Sequence, residues 1–159
     1  FIEPTQKIRS LGVKLKLSST KTIVKNKIII LIDDSLVRGT TCHKIVKMLY
    51  ESGAKEVHVR IACPEIKYPD FYGVDMPNKK ELLAHEKNNK EMCDHINAKS
   101  LKFLSLKGLY KALVGQERND NFPQFSDHYF TGDYPIKLTD NLEDLKVKQL
   151  SLLSSKSSS

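Results

Sequence analysis

The sequence predicts an α/β domain in which helices flank a parallel sheet, and three observations carry this prediction. Residues 28–32 are aliphatic at every position, as in a central strand covered on both faces. Residues 42–49 then repeat apolar side chains at helical spacing, and residues 57–61 alternate apolar and polar side chains. A strand, a helix and a second strand in this order form a crossover, which joins parallel strands.

The flanking segments extend the same alternation. Residues 13–17 alternate aliphatic residues with lysines, so we expect a strand with one solvated face. Asn78 with Glu81 and Asn88 with Glu91 have capping-box spacing, which predicts that two short helices begin there.

The next segment, "LKFLSLKGLYKALVG" from residue 101, predicts a brief strand and then a helix. Ser105 is the expected N-cap of this helix, and Gly115 is expected at its end. The helix should present one apolar face, made by Leu106, Leu109, Tyr110 and Leu113.

Length and charge narrow the class of protein. A chain of 159 residues with 40% hydrophobic content suffices for one domain with a core. The net charge of +7 fits a phosphate ligand, but the lysines are scattered and form no stripe interleaved with aromatic residues. We therefore expect no nucleic-acid partner. No signal peptide or membrane span is visible in the sequence, so we expect a cytoplasmic protein with no membrane partner. Because the chain opens on Phe1 rather than Met, we also expect a fragment.

The three cysteines, Cys42, Cys63 and Cys93, lie far apart and include no Cys-x-x-Cys pair. Reduced, mostly buried thiols are therefore expected, rather than a disulfide framework or a zinc site.

The candidate site lies in "IIILIDDSLVRGTT", residues 28–41. A loop between the carboxyl end of a parallel strand and the start of a helix is the usual ligand site of an open sheet. Backbone N–H groups, a glycine and three hydroxyls favour a phosphate there, whereas two adjacent carboxylates suit ribose hydroxyls and a divalent cation. A phosphorylated sugar satisfies both. The candidate residues are Asp33, Asp34, Ser35, Leu36, Val37, Arg38, Gly39, Thr40 and Thr41.

The same residues are also compatible with other kinds of loop. A receiver domain also ends an aliphatic strand in two acids, but no second acidic patch or downstream lysine at a strand end is evident. A purely structural turn is possible too. A Walker phosphate loop is excluded, because its Gly-Lys-Ser/Thr run is absent.

These residues carry a family resemblance. The stretch "LIDDSLVRGTT" resembles the phosphoribosyl pyrophosphate signature of type I phosphoribosyltransferases, and its "DDS-x-VRGTT" form resembles the amidophosphoribosyltransferase family. The stretches "FIEPTQKIR", "GAKEVHVRIACPEIKYPDFYGVDMP" and "FTGDYP" resemble the same family in the same order, so that the resemblance covers about residues 1–141.

The resemblance implies a partial type I phosphoribosyltransferase fold and the first step of de novo purine synthesis. In that step ammonia from glutamine displaces pyrophosphate from phosphoribosyl pyrophosphate and gives phosphoribosylamine. Asp33 and Asp34 would be catalytic, holding the ribose hydroxyls and lying at Mg²⁺, and residues 35–41 would bind the 5-phosphate. A complete member is expected to be a homo-oligomer.

The resemblance also divides the chain. Residues 1–115 would be the C-terminal portion of the phosphoribosyltransferase domain, residues 116–150 a C-terminal extension and residues 151–159 a disordered tail. By this resemblance we expect the chain to lack the family's glutaminase domain, the source of ammonia, and the chain alone is expected to be inactive. The alternatives are a non-catalytic regulatory module that binds phosphoribosyl pyrophosphate and an inactive remnant. No helix-turn-helix candidate supports a DNA-binding regulator.

Some family members carry an iron–sulfur cluster, with cysteines before "FYG" and in a Cys-x-x-Cys before "FTG". Here those positions are Asp70, Ser126 and Tyr129, which are not the thiolates that a cluster needs. The resemblance therefore implies a protein without an iron–sulfur cluster, and His128 is expected at the surface.

Overall fold

A computed structural model describes residues 21–73 and 78–136, so the strand expected at residues 13–17 lies outside the described residues. The helices are α1 (Lys21–Val24), α2 (Thr40–Glu51), a 3₁₀ turn (Lys79–Glu81), α3 (Leu83–Glu86), α4 (Asn89–His95), α5 (Leu106–Val114) and α6 (His128–Thr131). The strands are β1 (Ile28–Asp33), β2 (Glu56–Ile61) and β3 (Ser100–Phe103).

The strands form a parallel sheet in the order β1-β2-β3, which confirms the predicted α/β class and the crossover through α2. Asp33 pairs with Ile61, and Ile61 pairs with Phe103, so the carboxyl ends of all three strands meet at one edge of the sheet. This edge is where an open parallel sheet binds its ligands.

The core covers one face of the sheet. Val57, Val59 and Ile61 on β2 are buried in the same cluster as Val46 and Leu49 of α2. Within the described residues β1 lies at the edge of the sheet and not at its centre, and Ile28, Ile30 and Ile32 on its other face are exposed. The expectation of a strand covered on both faces was therefore wrong for this part of the chain, because aliphatic side chains occupy both faces while only one is packed.

The short helices follow the sequence signals in part. Asn88 and Glu91 form the predicted capping box, and Ser105 caps α5, which ends at Gly115 in a left-handed conformation. Asn78 makes no side-chain cap, because Glu81 N donates to the Asn78 backbone oxygen at 2.8 Å, and the Glu81 carboxylate accepts from Arg38. On α5, Tyr110 is buried but Leu113 is 61% exposed, so the predicted apolar face is only partly covered.

The segment after α5 packs onto the sheet domain through buried polar contacts. His128 Nε2 lies 2.8 Å from Asp70 Oδ1, and His128 Nδ1 lies 2.9 Å from Ser126 Oγ. Both His128 and Asp70 are buried, so the expectation that His128 lies at the surface was wrong. The histidine is buried because Asp70, 58 residues away in sequence, supplies its hydrogen-bond partner. The boundary proposed at residue 115 stays a prediction.

The cysteines are free thiols, as predicted, with Cys42 buried and Cys63 and Cys93 half-buried. In the described ranges no helix is both long and apolar enough to cross a membrane.

Candidate functional site

The loop between β1 and α2 opens a cavity of about 660 Å³ at the carboxyl edge of the sheet. Its walls are residues 32–42 together with Ala62, which follows β2. All nine sequence-predicted site residues therefore line one cavity. This arrangement follows from the chain itself, because a parallel strand and the helix that follows it leave the intervening loop at the carboxyl edge of the sheet.

The two carboxylates stand at the strand end of the cavity. Asp33 is the last residue of β1, and its Oδ1 accepts a hydrogen bond from Asp34 N at 3.1 Å. Asp34 Oδ1 accepts from Ser35 N at 2.7 Å. Burial raises the pKa of Asp33, and the charge of Asp34 adds to the rise against the lowering effect of the Asp34 N–H. The pair thus holds negative charge close together where a cation or hydroxyl donors would relieve the repulsion.

The start of α2 lines the same cavity. Gly39 precedes the helix with φ 77°, and no side chain caps the first turn, which also contains no acidic residue. Thr40 and Thr41 are exposed, while Leu36 anchors the loop in the core. Unpaired N–H groups and the helix dipole make such a terminus favourable for an anion.

The Arg38 side chain forms an ion pair with Glu81. Its Nε lies 2.8 Å from Glu81 Oε2, and both side chains are about half exposed. Sequence reasoning missed Glu81, and it also missed Leu83 and His95, which approach Gly39 from behind. Capping-box spacing singled out Glu81 only as a helix signal, and no sequence signal connects these three residues with the loop, because they lie 40 or more positions beyond it.

Two thiols border the same region. Burial raises the pKa of Cys42 to about 11, with a further rise from the charge of Asp33. Burial and then the charge of Asp34 raise the pKa of Cys63 to about 11, despite a hydrogen bond with the Leu36 backbone. Both cysteines are therefore neutral thiols at physiological pH and poor nucleophiles.

Within residues 21–73 and 78–136, His, Cys, Asp and Glu side chains form no group of three that could hold a metal ion by themselves. Two adjacent carboxylates nevertheless offer the oxygen ligands that Mg²⁺ accepts when substrate and water complete its shell. The donor set of Asp33 and Asp34 fits a shared Mg²⁺ of that kind.

The chain resembles known proteins over nearly its whole length. It is 53% identical over 156 residues to an amidophosphoribosyltransferase of Rhizobium etli, covering 98% of this chain and 32% of the relative. An amidophosphoribosyltransferase of Staphylococcus aureus is 49% identical over 140 residues, covering 88% of this chain and 28% of the relative. The chain thus spans about a third of the length of these relatives. No protein-family model matches it.

A solved structure supports the same relationship. A glutamine phosphoribosylpyrophosphate amidotransferase from B. subtilis, in complex with ADP and GMP, superimposes with a TM-score of 0.70 at 38% identity, covering 89% of this chain and 31% of the other. Sequence and fold together show that this chain belongs, over the third of the relatives' length that it spans, to the amidophosphoribosyltransferase family.

Proposed function

We propose that the cavity between β1 and α2 binds phosphoribosyl pyrophosphate, and that this chain forms part of an enzyme that converts it to phosphoribosylamine. The observation that carries the proposal is the polarity of the cavity. The carboxylates at the end of β1 and an uncapped helix start preceded by Gly39 line the same cavity. The carboxylates suit hydroxyls and a cation, and the helix start suits a phosphate dianion.

Different residues of the cavity bind different parts of the substrate. The loop from Ser35 to Thr41 binds the 5-phosphate through backbone N–H groups and the exposed hydroxyls of Thr40 and Thr41. Asp33 and Asp34 accept hydrogen bonds from the ribose hydroxyls. The same two carboxylates would also hold Mg²⁺, which would supply positive charge to neutralise the leaving group.

The reaction forms a bond from the ammonia nitrogen to the anomeric carbon and breaks the bond from that carbon to pyrophosphate. The new ammonium nitrogen then loses a proton. Positive charge develops on the sugar ring as the pyrophosphate bond lengthens, and the adjacent carboxylates stabilise that charge. Ammonia would come from glutamine through a glutaminase domain, and the cytoplasm would be the site of the reaction, in agreement with three free thiols.

Calorimetry on the 159-residue chain tests the binding half of this proposal. Ribose 5-phosphate with Mg²⁺ should bind, whereas ribose without a phosphate should not, because the helix start recognises the dianion. Asp34→Asn should weaken binding of the magnesium complex, and the matched control Asp94→Asn, an exposed aspartate on α4, should leave it unchanged. Equal affinity for ribose and ribose 5-phosphate would contradict the proposal.

A further inference from the structure

The loop of residues 35–41 has two faces, of which only one meets the cavity. Its back contacts residues 81–95, which we call the brace. The cavity wall consists of residues 32–42 and Ala62, so the brace residues that contact the loop do not reach the ligand space. Any effect of the brace on a ligand must therefore pass through the loop, either through its backbone or through the Arg38 side chain that Glu81 holds.

The first contacts between the brace and the loop are hydrogen bonds. Leu83 N donates a hydrogen bond to Val37 O at 2.9 Å, and Arg38 Nε donates to Glu81 Oε2 at 2.8 Å. The first bond holds the peptide that joins Val37 to Arg38, and the second holds the Arg38 side chain. Consecutive N–H groups can converge on one anion only when the backbone angles on this stretch are held.

In the second set of contacts, side chains of the brace lie close to Gly39. A Cβ atom at this position would lie 2.8 Å from Leu83 Cδ2 and 3.2 Å from His95 Cδ2. His43 Nδ1, on the first turns of α2, donates to His95 O at 3.0 Å, and His43 N donates to Gly39 O at 2.8 Å. The close approach that requires glycine here therefore comes from α3 and α4 behind the loop.

The brace is itself rigidly attached. Leu83, Ala84 and Met92 are buried in the same core cluster as β2, and Ile96, directly after the brace, is fully buried in it. A loop supported in this way loses little conformational freedom when a ligand arrives, and this saving favours affinity.

We propose that Glu81, Leu83 and His95 are positioning residues that set the loop amides for phosphate binding. The proposal rests on the proposed function for its ligand, while the ordering of the loop can be measured without one. It places determinants of 5-phosphate affinity about 45 residues beyond the signature motif.

Hydrogen exchange of the full 159-residue chain tests the ordering. The amides that report on the ordering of the loop are the hydrogen-bonded ones, Leu36 N with Cys63 and His43 N with Gly39 O. Leu83→Ala should accelerate their exchange by about tenfold. Leu101→Ala is the matched control, since it truncates a leucine of the same core cluster on β3 and leaves the contact with Gly39 intact. Leu83→Met keeps the volume and should restore slow exchange. Loop amides that exchange equally in both alanine variants would overturn the proposal.

A second pair of variants perturbs the fold less than the alanine substitutions do, and it decides the question if Leu83→Ala fails to fold. Glu81→Gln breaks the ion pair with Arg38, whereas Glu65→Gln breaks a pair of equal length, 2.8 Å to Lys67, that does not involve the loop. We expect faster loop exchange and about threefold weaker ribose 5-phosphate binding for Glu81→Gln only. The proposed role of the brace would be refuted if Leu83→Ala folds and if the loop amides of both Leu83→Ala and Glu81→Gln exchange at the wild-type rate. Failure of the wild-type chain to bind would instead refute the proposed function, and exchange would still decide the brace.

Discussion

Arg118 Nε donates to Asp127 Oδ2 at 2.7 Å, and the two side chains are only 11% and 4% exposed. Tyr110 OH donates to the same carboxylate oxygen at 2.7 Å. A buried carboxylate with a charged partner and a hydroxyl donor ties the segment after α5 back to α5 itself. Burial alone would raise the pKa of Asp127, but the hydrogen bonds from Arg118 and Tyr110 outweigh it and hold the pKa below its usual value.

Asp127 should therefore contribute to acid unfolding. Because its pKa is lower in the folded chain than the usual 3.8, its stabilisation is present above about pH 4 and is lost as the pH falls further. Urea unfolding between pH 3 and 6 should show a shallower pH dependence for Asp127→Asn than for the wild type. Asp120→Asn, at an exposed partner of Arg118, should retain the wild-type slope, and a shared slope for all three would contradict this account.

Gly39→Ala should destabilise the fold more than Gly115→Ala. Both glycines have left-handed backbones, with φ 77° and φ 70°, but a Cβ at Gly115 meets nothing within 4 Å. Each substitution costs about 1–2 kcal/mol for the backbone angle, and overpacking against Leu83 adds about 1–3 kcal/mol at Gly39 alone. Denaturant unfolding of the two variants measures the difference, which would vanish if the loop moved freely away from α3.

Cys42 and Cys63 should react slowly with iodoacetamide in the folded chain. Their pKa of about 11, against an ordinary 9.0, leaves about a hundredfold less thiolate at neutral pH. The alkylation rate should rise with pH until about 11, and urea-unfolded protein supplies the control with ordinary thiols. A rate that levels off near pH 9 in the folded chain would disprove the assignment.

Asp33→Asn with Asp34→Asn should cripple turnover without unfolding the protein. In a complete enzyme built around this chain, we expect phosphoribosylamine formation to fall about a hundredfold or more, since the carboxylates stabilise charge that develops only in the transition state. Steady-state kinetics and a thermal melt of the double variant give the two readouts. Wild-type turnover in this variant would exclude the proposed role.

Anaerobically purified protein should be colourless. Asp70 and Ser126, at two of the positions where cluster-bearing relatives are expected to place cysteines, both hydrogen-bond to His128. Iron and acid-labile sulfide assays should find neither in stoichiometric amount. A stoichiometric cluster would require ligands other than those the resemblance indicates.

Much of the local structure could be predicted because its causes lie within a few residues. The Asn88 capping box and the Ser105 cap depend on partners three residues away, and both formed. The candidate loop also lies in one continuous stretch, so a strand followed by a helix was enough to bring its nine residues around one cavity.

The sequence by itself therefore determined the α/β class, the parallel crossover and the composition of the loop. Only the tertiary structure decided that Ile30 is exposed, that His128 is buried against Asp70, and that Leu83 closes the back of Gly39. The physical reason is that capping and periodicity act over single turns, whereas burial depends on which distant segment arrives to exclude water or satisfy a hydrogen bond.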